Sequence, residues 1–233
     1  MTRGSPLHRI AAAALLTAAA CGLPLDPEGT LERVEGGTLR VGVIPSAPWT
    51  VPEGGGGGVE VELIRRFAED VDARIRWTRG PPEDLLGALE HRAVDVVIGG
   101  LLDIDPSLSS VGMSRPYLTT RLLVGAPRRM LPVETIEGLR VMVEKGTEAE
   151  GLVLAEGGLA VPVQEVERPR GLAAVDQWLL DDLSLRDTGI WLAEHHHVMA
   201  VAPGENAFLV RLERFLADQD REIAELLRRE GTL

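Results

Sequence analysis

The stretch "VDVVIGG" (residues 94–100) is the tightest constraint on this chain. Four of its first five residues are apolar, and three of those are valine or isoleucine packed side by side. A strand with one wet face would alternate polar and apolar residues. A near-continuous apolar run is instead the mark of a strand buried on both faces of a parallel sheet. Parallel strands need crossovers, and the flanking sequence supplies them. Ile64, Phe67, Ala68, Val71 and Ile75 recur at helical spacing with charges between them,. Leu85, Leu86 and Leu89 mark a shorter helix behind Pro81-Pro82-Glu83-Asp84. Upstream, "TLRVGVIPS" (38–46) is a strand closing in a Pro/Ser turn, and "RIRWT" (74–78) is another,. The expected class is α/β.

The alternation then repeats. "TRLLVGAP" (120–127) is a strand, and "LRVMVEKGTEAEGLVLAEGG" (139–158) reads as strand, Gly-Thr turn, helix and double-glycine stop. "VPVQEVE" (161–167), "QWLLDD" (177–182) and "HVMAVAPGEN" (197–206) are read as further strands, followed by two C-terminal helices. Two β-α runs flanking residues 120–127 predict two lobes. "PEGGGGG" (52–58) is a flexible loop, because glycines have no side chain to pack and the most backbone freedom,.

The N-terminus has a different character. Arg3, His8 and Arg9 precede an apolar or small run from Ile10 to Ala20, broken only by Thr17. That is the layout of a secretory signal. Eleven residues fall short of the about 20 that cross a bilayer,. Cleavage after Ala20 would leave Cys21, the chain's single cysteine, as the first residue. A lone exposed thiol is a poor choice in an oxidising compartment. Ala19-Ala20-Cys21 resembles the bacterial lipoprotein signal, which implies lipidation of Cys21 and a membrane anchor. Ala18 departs from that pattern, where a larger aliphatic residue is usual. Residues 21–37, rich in glycine and proline, read as a lipidated tether.

Charge excludes some partners. The chain has 24 Lys and Arg against 36 Asp and Glu, and residues 1–20 take two of the basic ones, leaving −14. Nothing so acidic tracks a phosphate backbone, so no nucleic acid is expected. No cysteine pair exists for a disulfide or a Cys-based zinc site. No metal and no cofactor are expected. "EHHHV" (194–198) offers His195 and His197 on one strand face, and reads more simply as polar residues entering a hinge strand,.

"TLRVGVIPSAPWT", "GVEVELIRRFAEDV", "LLGALEHRAVDVVIGGL", "VGMSRPYLTTRLLVGAP" and "IEGLRVMVEKGTEAE" occur in this order. Together they resemble the periplasmic solute-binding proteins of amino-acid-type ABC transporters, family 3, over about residues 38–150 and less clearly beyond. The resemblance implies a type II periplasmic-binding architecture: two α/β lobes, each a mostly parallel sheet flanked by helices, joined by two hinge crossings. Lobe one would comprise 38–127 and 197–233, and lobe two 128–196, with crossings near 125–128 and 196–203. It implies a monomer that grips a small polar solute, amino-acid-like or amine, and delivers it to an ABC permease.

Site residues follow by the same resemblance. Trp49 would stack on ligand. Gly99, Gly100 and Leu101 would present the backbone that receives an amino group. Gly146 and Thr147 would meet an anion at a helix N-terminus. Asp181, with Asp182 competing, would hold the amino group. Glu60 and Glu62 match an acidic motif and also suit the positive end of a helix. Ser107 stands where amino-acid-binding members carry a carboxylate-clamping arginine, and a serine cannot form that charged fork. Lys145, Arg115 or Arg121 would have to substitute, and Asp103 and Asp105 make the neighbourhood more negative. Catalysis is not expected. The alternatives are a dehydratase on the same fold, with Glu60, Asp103 or Asp181 as its acid/base, or a sensory or scaffold protein with a degenerate site.

Overall fold

The computed structural model describes residues 25–51 and 57–230. Cys21 and most of the polyglycine stretch lie outside them. Helix α1 is Thr30–Val34, followed by strand β1 (Thr38–Val43), helix α2 (Val59–Asp70), β2 (Arg74–Arg79), α3 (Pro82–Glu90), β3 (Val96–Ile98), β4 (Gly112–Met113) and β5 (Leu118–Pro127). Then come β6 (Arg140–Glu144), α4 (Ala149–Ala155), β7 (Leu159–Val163), β8 (Leu172–Asp176), β9 (Leu185–His197), β10 (Ala200–Val201), α5 (Asn206–Ala217) and α6 (Asp220–Glu230). The strands form two five-stranded sheets, ordered β2-β1-β3-β10-β4 and β7-β6-β8-β5-β9. Both are mixed. β1, β2 and β3 run parallel and β10 opposes them; β6, β7 and β8 run parallel and β5 opposes β8 and β9.

The "VDVVIGG" strand is buried on both faces, as its composition requires. Val96 and Ile98 pack with Phe67 of α2 and Phe208, Leu212 and Phe215 of α5. Val97, between them, packs with Leu85, Leu86 and Leu89 of α3. The second lobe has its own core of Val124, Val141, Val143, Val153 and Leu172.

Three sequence expectations change. The strand at 120–127 belongs to the second sheet, because β5 pairs with both β8 and β9 along its length. The first crossing therefore lies between β4 and β5, around residues 114–117, and not at 125–128. The chain returns to the first sheet between β9 and β10.

Residues 25–37 are part of the first lobe and not tether. The Asp26 carboxylate accepts N–H bonds from Ala207 (2.7 Å) and Phe208 (3.1 Å) at the start of α5. Glu205 returns the favour, accepting from Thr30 N–H at the start of α1 (3.1 Å). Each carboxylate satisfies donors that a helix start leaves orphaned. Val34 is fully buried beneath them.

Residues 177–182 are not a strand. Gln177–Leu179 form a 3₁₀ turn directly after β8. The 13-residue β9, by contrast, was not legible as a strand beyond its last residues. It is the edge strand of its sheet, and Asp187, Gly189 and the Glu194-His195-His196 run interrupt its β-forming residues,.

Candidate functional site

Between the sheets lies a cavity of about 880 Å³. The first lobe contributes the segment after β1 (Ala47, Pro48, Trp49) and the turn after β3 (Gly100, Leu102). The second contributes the carboxyl ends of β6, β7 and β8 and the ends of β5 and β9 nearest the crossings. Ligands of open α/β sheets sit beyond the carboxyl ends of strands, and this cavity is built there.

Trp49 is the centre of the first wall. It is 6 % exposed. Its ring lies 4.0 Å from that of His197, tilted by 34°, and meets Trp178 of the other lobe edge-on at 6.1 Å. Gly100 has to be glycine here. Its φ is +71°, and a Cβ would come within 2.2 Å of the indole Cδ1.

Glu60 fixes this wall from behind. It is fully buried. Its Oε2 accepts N–H bonds from Gly99 (2.6 Å) and Gly100 (3.0 Å), and its Oε1 accepts the Tyr117 hydroxyl (2.5 Å). Burial pushes its carboxyl above the usual range, against the pull of these three donors. The Tyr117 phenol rises well above its ordinary value, through burial and then the Glu60 charge. The expectation that Glu60 complements the helix dipole from the surface gives way to an inward clamp. Glu62 stays on the surface, paired with Arg66 at 3.1 Å.

The second wall is acidic. Glu144, Glu148, Glu165, Glu167, Asp176 and Asp182 line it, against Arg168 as the one Lys or Arg among the described lining residues. Asp176 ends β8, and its carboxyl is pushed up to about 7 by burial and then by the charges of Glu148 and Glu144. His195 Nε2 lies 2.5 Å from Glu148 Oε1. His197 bonds Thr120 Oγ1 through Nε2 (2.8 Å) and its pKa falls to about 4, through burial and then the neighbouring His195 and His196. That imidazole is neutral at physiological pH.

Of the residues singled out from sequence, Trp49, Gly100 and Thr147 line the cavity, and Asp182 lines it where Asp181 does not. The Asp181 side chain is 91 % exposed and pairs with Arg128. Gly99 gives its N–H to Glu60. Leu101 is buried in the core beside α3. Ser107 sits on an exposed 3₁₀ turn, its N–H bonded to Asp105. Gly146 and Lys145 are exposed and do not reach the wall. Arg115 lies by Glu213, and Arg121 pairs with Glu194 and stacks on Trp191 at 4.1 Å. Among the described residues, no Lys or Arg therefore replaces the missing arginine on the first lobe's wall. Sequence reasoning missed Asp176, Glu148, Trp178 and the inward role of Glu60. Among the described residues, no group of three or more His, Cys, Asp or Glu side chains is placed to hold a metal.

Two mixed α/β sheets closing on a cleft, linked by two crossings, define a two-lobed solute-binding fold. The family model of bacterial extracellular solute-binding proteins, family 3, matches residues 39–229, and the chain belongs to that family. The unliganded, open L-cystine solute receptor of Neisseria gonorrhoeae shares the fold, with a TM-score of 0.71 at 18% identity over 87% of this chain and 97% of that one. An ancestral cationic amino acid solute binding protein does so with a TM-score of 0.67 at 17% identity, over 84% and 98%. The membrane-bound lytic murein transglycosylase F of Pseudomonas fluorescens is 33% identical over 164 residues, or 66% of this chain and 33% of that protein. The chain thus spans about a third of the length of that relative. No described helix is long and apolar enough to cross a membrane.

Proposed function

We propose that this protein is an exported, lipid-anchored solute-binding protein that captures a small cationic solute in its interlobe cleft and hands it, as a monomer, to an ABC permease. One observation supports the solute class above the others: the second wall sets six carboxylates against a single arginine. Trp49 and Trp178 add apolar faces with electron-rich rings, which favour a cation by about 0.5–2 kcal/mol,. Asp176, at the carboxyl end of β8, is the anchor for the cation. It takes the role that the family resemblance implied for Asp181. Export rests on the family and on the signal-like residues 1–20. Anchoring rests on Ala19-Ala20-Cys21 and places the protein at a membrane face toward the periplasm or cell exterior.

Calorimetry with arginine, agmatine and glutamine tests the solute class. Arginine or agmatine should bind, with glutamine silent. Micromolar binding of glutamine with both cations silent overturns the reading.

A second reading keeps the dehydratase alternative, because Asp176 titrates near 7 beside the carboxylates of Glu148 and Glu144. A carboxyl poised near neutral pH suits general acid/base work. Turnover of a cyclic amino-acid precursor by the purified protein, abolished by Asp176→Asn, would establish it. Binding without turnover would remove it.

A further inference from the structure

We infer that the solute is a linear diamine or polyamine, laid along the carboxyl ends of β8, β6 and β7, and that the first lobe's wall brings no charged side chain to a ligand carboxylate. This rests on the cleft being the site for a cationic solute.

The first lobe's described wall offers an anion no charged side chain. Its lining residues Ala47, Pro48, Trp49, Gly100 and Leu102 include no charged side chain. The backbone N–H groups of Gly99 and Gly100 are both given to Glu60. Ser107, the position of the expected arginine, is out of the cavity.

The second lobe spreads its acids along a line. The sheet order β7-β6-β8 puts Asp176 after β8, Glu144 and Glu148 at and after the end of β6, and Glu165 and Glu167 after β7. Neighbouring strands lie about 4.8 Å apart, so the outer acidic stations are separated by about 10 Å. A single ammonium satisfies one station only. A chain carrying ammonium groups at both ends meets Asp176 with one and the Glu165–Glu167 rim with the other, and a polyamine's inner nitrogen would pass Glu144 and Glu148 between them. The raised pKa of Asp176 agrees, since an arriving cation favours its ionised form,. Arg168 is the one group of the wrong sign, and it stands on the exposed rim beside Glu167.

Lysine, cadaverine and pentylamine share a five-carbon chain and separate the possibilities in one calorimetric series on the purified protein. Cadaverine should bind at least about tenfold tighter than pentylamine, as a second charged hydrogen bond requires, and no weaker than lysine. The double substitution Glu165→Gln and Glu167→Gln lies on the exposed rim and should leave folding intact. It should weaken cadaverine about tenfold and leave pentylamine unchanged. Arg168→Gln should strengthen cadaverine. Lysine binding tenfold tighter than cadaverine would reveal a carboxylate seat and overturn this inference, as would equal binding of cadaverine and pentylamine. Both of those results leave the cationic-solute reading standing. Silence of every cation, arginine and agmatine included, overturns both.

Discussion

Asp176→Asn should make the protein more stable at pH 8 and useless for binding a cation. The wild-type carboxyl is pushed up to about 7, first by burial and then by Glu148 and Glu144. In the unfolded chain it titrates near 3.8. Below about pH 4 both states hold the proton, and the group has no effect on stability. Between there and 7 the unfolded state loses the proton while the folded state keeps it. Stability therefore falls as pH rises through this window, and stays at its lower level above it. A shift of about three units corresponds to a ceiling of about 4 kcal/mol. Water in the open cleft reaches the carboxyl and lowers this to about 1–3 kcal/mol. Asparagine has nearly the same shape and no proton to lose. The variant should match wild type at pH 4 and exceed it at pH 8, with a Tm gain of about 3–9 °C for a chain of this size. Denaturant melts at both pH values, with calorimetry on the same samples, measure it. An Asn variant less stable than wild type at pH 8, or a difference independent of pH, would refute the reasoning. The stability lost to Asp176 is then the counterpart of its function, a trade-off common at binding sites.

Gly100→Ala should displace the indole, since its Cβ would fall 2.2 Å from Trp49 Cδ1 at a φ of +71°; a loss of about 2–4 kcal/mol and a shifted tryptophan emission are expected. Glu60→Gln keeps the size but turns an N–H toward donors, and should destabilise by about 1–3 kcal/mol in a urea melt. Cys21→Ser should release the protein into the soluble fraction, and unchanged membrane fractionation would remove the lipid anchor from the proposal.

The strands that were legible are those whose signal is local. "VDVVIGG" and "TLRVGVIPS" announce burial within six or seven residues. What failed depends on distant partners. Nothing inside residues 120–127 says which sheet they join, because that is decided by pairing with β9, about seventy residues further on. The "LAAVD" of β8 is three-fifths small or acidic, so β propensity passes over it, yet its alanines are buried where the sheet packs tightly. That oversight moved the site. With 177–182 taken as strand, the resemblance put the anchor at Asp181. Once 172–176 is the strand, Asp176 stands at its carboxyl end, and ligand geometry selects it.

Glu60 shows where sequence reading stops for a physical reason. An acidic residue in the first turn of a helix is favourable whether it faces water or the interior, so the pattern is the same in both cases. Only the contact with Gly99 and Gly100, about forty residues away, tells them apart. The distinction has consequences across the cleft. The buried carboxylate holds the turn after β3 that backs Trp49. Among the described residues, no Lys or Arg stands on the first lobe's wall to make up for the serine at Ser107. Selectivity passes to the second lobe, whose carboxylates choose charge, while Trp49 and Gly100 choose shape.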